Sequence, residues 1–246
     1  MLEVGATLNR HIVVLSMLVL GGVLTTAGFI MAFFFTPPVL GPAITNEAGR
    51  ILGYQPLFSQ KIFYFHVPVA ISSFLVFFFT AFYGVRFLMT KEKQYDTRAK
   101  VATEVTLMFV ILTMATGILW TRFEWGRWWV WEPRLTTYFI MTLLVIAYFV
   151  LRNSIEDEER RATYAAVFGI IAFLDAPLSF AITRIIPSSV HPVVLRSGGG
   201  LTGSQLAAFL IGLFGMLMIA YAIFQTRMRE ELVHDRLEAV KAALEG

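Results

Sequence analysis

Two histidines, a run of tryptophans and a few arginines stand out from an otherwise apolar chain as residues able to do chemistry. In "KIFYFHVPVA", His66 follows three aromatic residues and is the fifth residue after Lys61. That spacing puts it about 7 Å, one helical turn, inside the end of an apolar run. An ionisable side chain at such a depth is costly unless it faces a partner or a cavity, so it is a functional candidate by default. In "PSSVHPVVLR", His191 lies between Pro187 and Pro192, which restrict the backbone around it. Neutral imidazole is the commonest side-chain metal ligand. His11, at the start of the first apolar run, and His234, in a charged tail, carry no assigned role.

"WTRFEWGRWWVWEPRLTTY", residues 120–138, holds all 5 tryptophans of the chain. Trp125, Trp128, Trp129 and Glu132 fall at helical spacing, so a short surface helix would put them on one face. Trp131 adjoins them, and Arg122, Arg127 and Arg134 are close in sequence. Tryptophans also anchor membrane proteins at the lipid interface. An anchoring belt would be spread over several helices, however, whereas these sit in one stretch. The arrangement therefore reads as an aromatic platform with a charged rim, suited to something flat and apolar.

These residues need elements to hold them. Hydrophobic residues make up 57% of the chain and charged residues 15%, against roughly 45–50% and 25% in soluble domains. Six apolar runs are each long enough to cross a bilayer of about 30 Å: about 12–35, 62–86, 102–120, 134–151, 164–183 and 203–226. The fold class is thus an all-α integral membrane protein, a six-helix bundle surrounded by membrane lipid, with no second domain. Six spans put both termini on one side, and that side carries the larger share of the 20 basic residues, including Arg86, Lys91, Lys93, Arg98 and Lys100. The positive-inside rule places both termini in the cytoplasm and the tryptophan loop on the periplasmic side. His66, His191 and the tryptophans then converge on one membrane face. The first run is longer than a signal-peptide core and reads as a permanent span. The stretch 227–246, with Val233, Leu237, Val240 and Leu244 at helical spacing, reads as a short amphipathic cytoplasmic helix.

There is no cysteine, which excludes disulfides, thiolate catalysis and covalent haem attachment. The basic residues form no stripe of the kind that binds nucleic acid. A non-haem metal would need further ligands beside His66 and His191, and acids on that side are few: Glu47, Glu124 and Glu132. A porphyrin brings four nitrogens of its own, so two histidines can complete its iron, while its flat ring suits indoles and its propionates suit arginines. Asp175, in "FLDAPLSF", lies inside the fifth span two residues before Pro177. It is either a structural partner for an arginine or backbone group at a kink, or a residue of gating or of proton or haem passage. Three other readings stay open: a b-type haem redox subunit, a transporter of metal or small molecules using His66, His191 and Glu132, and an assembly factor whose tryptophans only anchor.

"WGRWWVWEPRLT" (125–136) resembles the signature W-G-x-x-W-x-W-D-x-R-L-T of the haem-handling "WWD" proteins of cytochrome c biogenesis. Length, six spans and "KIFYFHVP" are most similar to the smallest branch, the cytochrome c maturation protein C or haem exporter protein C family, and the resemblance covers essentially the whole chain. Glu132 stands where that family usually has aspartate. The resemblance implies a bacterial inner-membrane protein that holds haem b between His66 and His191 as axial ligands. The haem would stack on Trp125, Trp128, Trp129 and Trp131, with Arg122, Arg127 or Arg134 at its propionates. It further implies delivery to a periplasmic haem chaperone, alongside an ATP-binding cassette transporter pair and a small one-span subunit. Without a nucleotide-binding loop, the chain would be no enzyme, and any ATP hydrolysis would come from partners.

Overall fold

The computed structural model describes the backbone of residues 2–186, 201 and 203–245. Helix α1 (Leu2–Phe35) leads into a hairpin of β1 (Val39–Thr45) and β2 (Ile51–Leu57), then a 3-10 turn (Phe58–Ile62). The bundle continues with α2 (Phe63–Thr90), α3 (Lys93–Trp125), α4 (Pro133–Asn153), α5 (Glu158–Phe173), α6 (Asp175–Ile185) and α7 (Gly203–Glu245). Six candidate spans are long and apolar enough to cross a membrane, with α5 and α6 forming one between them. The six-span reading is borne out, though the helices outrun the apolar stretches at several ends because polar turns extend them beyond hydrocarbon depth.

Two clusters hold the centre. Val69 and Val76 of α2 pack with Val105 and Phe109 of α3 and with Met216 and Ala220 of α7. Phe77 and Val110 pack with Tyr138, Met141 and Val145 of α4 and with Ala172 and Ala176 of the α5–α6 unit. Three buried hydroxyls of α3 are satisfied within their own helix: Thr103, Thr106 and Thr113 each donate to the carbonyl four residues back. Helix α1 packs chiefly on α7 through glycines. A Cβ at Gly28 would come within 2.8 Å of Gly212 N, and one at Gly215 within 2.5 Å of Thr25 Oγ1. Lipid tails give apolar helices little reason to associate, so close backbone approach at small residues supplies the packing.

Both ends of the bundle are tied by charge. At the end bearing the termini, Arg152 of α4 grips Asp96 of α3 with two hydrogen bonds, Nη1 to Oδ1 at 2.7 Å and Nη2 to Oδ2 at 2.5 Å, both residues buried. Glu104, which lies within the third apolar run, accepts from Arg227 of α7 at 2.8 Å. At the tryptophan end, buried Lys61 donates to the carbonyls of Ala32, Phe33 and Thr36 at 2.9, 2.7 and 3.2 Å. Its three N–H groups thereby cap the C-terminus of α1, whose last carbonyls have no partner within the helix.

Three elements differ from their sequence reading. The Pro/Gly-rich segment after the first span folds as the β1–β2 hairpin, turned by Asn46 Oδ1, which accepts from the N–H groups of Ala48 and Arg50 at 3.1 and 2.8 Å. Pro42 and Pro56 are tolerated because both strands of a two-stranded sheet are edges. The fifth span breaks at Leu174, since Pro177 has no N–H to return to the carbonyl of Phe173. The charged tail is not a separate short helix. With no Gly or Pro between 227 and 245, it continues α7 to 43 residues, or about 64 Å at 1.5 Å per residue.

Candidate functional site

A cavity opens among α2, α3, α4 and α6 at the tryptophan end of the bundle. Its empty space, counted out to the open mouth, is about 1130 Å³. His66, in the second turn of α2, lines one wall, and Gly117 and Trp120 of α3 line another. Trp129 of the α3–α4 link, Tyr138 of α4 and Phe180 of α6 complete the apolar surround. The cavity extends inward to Phe74, eleven residues along α2 from Phe63, about 16 Å at helical rise. At that inner end, Ser73 Oγ donates to Ala70 O at 2.7 Å, so the tyrosine is the donor in its 2.6 Å bond with Tyr138.

His66 is oriented by a hydrogen bond whose direction can be worked out. Thr116 Oγ1 lies 2.9 Å from His66 Nδ1 and also within 2.9 Å of Leu112 O and 3.1 Å of Thr113 O. Its one proton goes to a backbone carbonyl, leaving its lone pairs to accept. Nδ1 therefore carries the imidazole proton, and Nε2 carries the lone pair a metal requires. Gly117 leaves room for the ring: a Cβ there would stand 3.1 Å from His66 Cε1.

The charged edge of the cavity is built from two arginines. Arg134 Nη2 and Arg184 Nη1 both donate to Phe180 O, at 3.0 and 3.3 Å, and both residues line the cavity. Arg184 also lies over the Phe180 ring, 4.9 Å from its centroid. An apolar slot with an imidazole on one wall and two guanidinium groups at its edge fits a flat apolar ligand carrying a metal and carboxylates. Among the described residues, no three His, Asp or Glu gather as a non-haem metal cage would require.

Residues 6–243 match the family model "Heme exporter protein C". The chain belongs to the haem exporter protein C family. It is 28% identical over 190 residues to "Heme exporter protein C" of Bradyrhizobium diazoefficiens, covering 76% of this chain and 72% of that one. It is 31% identical over 183 residues to "Putative cytochrome c biosynthesis ccmC-like mitochondrial protein" of Arabidopsis thaliana, covering 72% and 68%. With "Heme exporter protein C" of Escherichia coli K12 the identity is 23% over 207 residues, covering 84% and 78%.

In this member of the haem exporter protein C family the tryptophan stretch is not one helix. Gly126, at φ +69°, ends α3 in the left-handed region that a side chain would disfavour. Trp125, Trp128, Trp129 and Glu132 therefore do not share a helical face. Trp125 closes α3 with its ring 5.8 Å from that of Trp120. Trp128 and Trp131 are exposed at 60% and 71%. Trp129 turns inward, edge-on to Trp131 and Phe139 at 5.3 and 5.7 Å.

The cations and acids separate as well. Arg122 donates to Gly126 O at 2.7 Å and lies over the Trp128 ring, so it ties down the end of α3. Arg127 is exposed, and neither it nor Arg122 lines the cavity. Glu132 is buried, and its Oε1 accepts from Leu135 N at 2.6 Å. It caps the N-terminus of α4 just before Pro133, which explains a carboxylate at this position of the signature without any ligand. Asp175 does not line the cavity, and among the described residues no arginine bonds to its Oδ2. It starts α6 at the break, its Oδ2 buried with no hydrogen-bond partner among the described residues. His191 lies outside the described residues.

Sequence reasoning missed Trp120, Arg184, Thr116 and Gly117. Trp120 is the last residue of the third apolar run, 102–120, and Arg184 falls just past the fifth, 164–183. The i, i+3, i+4 relation of Trp120 to Thr116 and Gly117 on one helix was a readable signal.

Proposed function

We propose that this chain holds haem b in the cavity beside His66 and passes it on during maturation of c-type cytochromes. The observation that carries the reading is the single slot that brings an imidazole with its Nε2 lone pair together with two indoles and two guanidinium groups. His66 Nε2 serves as one axial ligand and His191 as the other. Trp120 and Trp129 bound the porphyrin inside the slot, while Trp125, Trp128 and Trp131 extend an aromatic surface outside it. Arg134 holds a propionate. Of the other candidates for that task, Arg122 ties down the loop instead, and Arg127 stands exposed outside the cavity.

The site faces the periplasm from the bacterial inner membrane, with both termini in the cytoplasm, as the positive-inside rule requires. The exposed rings of Trp128 and Trp131 beside an open mouth suit transfer, because an enclosed pocket would retain its cargo. The recipient is a periplasmic haem chaperone that takes the iron through a histidine of its own. An ATP-binding cassette pair and a small one-span subunit complete the assembly, and ATP hydrolysis stays with those partners, this chain being no enzyme. The relatives named for haem export support this reading.

Transfer is the test. The purified chain loaded with haem is mixed with apo-chaperone, and the two are separated and read at the Soret band. The expected result is haem moving to the chaperone, with Trp128→Ala and Trp131→Ala slowing the movement more than they weaken binding. Haem that stays on this chain with a competent chaperone present would refute delivery.

A further inference from the structure

A polar atom of the cavity lining has no hydrogen-bond partner among the described residues. Trp129 Nε1 is buried without a hydrogen bond among the described residues, and buried indole N–H groups ordinarily find an acceptor. The same residue lines the cavity that Arg134 and Arg184 line. Those guanidinium groups are drawn together on one carbonyl, Phe180 O, and each has five N–H donors in all. Two cations and a partnerless donor lining one cavity can serve an anion, and a carboxylate can take a fork from arginine and a single bond from indole together.

We infer that Trp129, Arg134 and Arg184 form a carboxylate clasp, and that this clasp admits porphyrins with free carboxylates in preference to their esters. The inference rests on the haem reading and adds the part of the cargo that is recognised. Trp129 acts in it as a hydrogen-bond donor, beyond offering an aromatic face. Arg184, on a different helix from the tryptophan signature, supplies the second cation. The clasp also joins α4 to α6, so a bound carboxylate bridges the link that carries the tryptophans to the helix that follows the Leu174 break.

The test uses the full-length chain in detergent, titrated with hemin and with hemin dimethyl ester, whose two carboxylates are blocked. Binding is read at the Soret band for the wild type, Trp129→Phe, Arg184→Gln and Arg184→Lys. The wild type should bind hemin more tightly than the ester. Trp129→Phe keeps an aromatic ring but loses the N–H, so it should weaken hemin roughly ten- to a hundredfold, the worth of a hydrogen bond to a charged group. It should leave the ester unchanged. Arg184→Gln should behave alike, and Arg184→Lys should recover part of the loss. A wild type that binds both forms equally, or a Trp129→Phe chain that weakens both equally, would overturn the clasp while leaving the haem site standing. A wild type that binds neither would overturn the haem reading itself.

Discussion

Replacing Thr116 by valine removes one oxygen and keeps the branched shape of the side chain, which makes it a sharp probe of how His66 is prepared. Thr116 Oγ1 accepts the His66 Nδ1 proton at 2.9 Å while its own proton is committed to the backbone of α3. In Thr116→Val the ring loses its acceptor, and the tautomer with the proton on Nε2, useless to a metal, is no longer disfavoured. The hydrogen bond alone is worth about 1 kcal/mol, or roughly fivefold in affinity. Where such a bond sets the tautomer of a metal-ligating histidine, its loss costs about 10- to 100-fold. Haem titrated into the purified variant should therefore show a dissociation constant at least about fivefold weaker than wild type. Thr116→Ser, which retains the acceptor, should bind like wild type. If Thr116→Val matched the wild type while His66→Ala lost haem, the tautomer argument would be wrong and Thr116 merely a packing residue.

Further outcomes follow from contacts elsewhere. Gly117→Ala puts a Cβ 3.1 Å from His66 Cε1, so it should tilt the imidazole and broaden or shift the Soret band with little change in melting temperature. Glu132→Ala removes the cap on α4 and should lower unfolding stability by about 1 kcal/mol; an unchanged thermal midpoint would deny that role. Arg152→Met leaves Asp96 buried without its cation, which should cost about 3–5 kcal/mol. Adding Asp96→Leu should recover much of that loss in the same thermal assay. Gly215→Leu, where even a Cβ meets Thr25 at 2.5 Å, should separate α1 from α7, seen as faster proteolysis of α1.

The spans were legible because hydrocarbon thickness imposes a length on apolar runs that soluble chains seldom reach. His66 was legible because a lone ionisable group at membrane depth asks for a reason. The tryptophan stretch was only half legible. Helical spacing from Trp125 to Glu132 assumed a helix that Gly126 ends, and the consequence was to group four residues the chain separates. Glu132 shows a further limit: an acid beside tryptophans and arginines suggests a rim, whereas its neighbour Pro133 at the first helical position marks a cap. Arg184 was hidden because its meeting with Arg134 depends on how α6 packs against α4, a tertiary fact with no local pattern. The β1–β2 hairpin was obscured by its prolines, which argue against strands everywhere except at edges.

The central claim is that His66 ligates haem in this cavity, and absorption spectroscopy of the purified chain in detergent tests it most directly. Wild type should be compared with His66→Ala and His191→Ala, each supplied with haem. The account predicts a bis-histidine haem spectrum in the wild type that is lost or shifted in each variant. A wild type that stays colourless with haem supplied, or a His66→Ala chain with the wild-type spectrum, would contradict it.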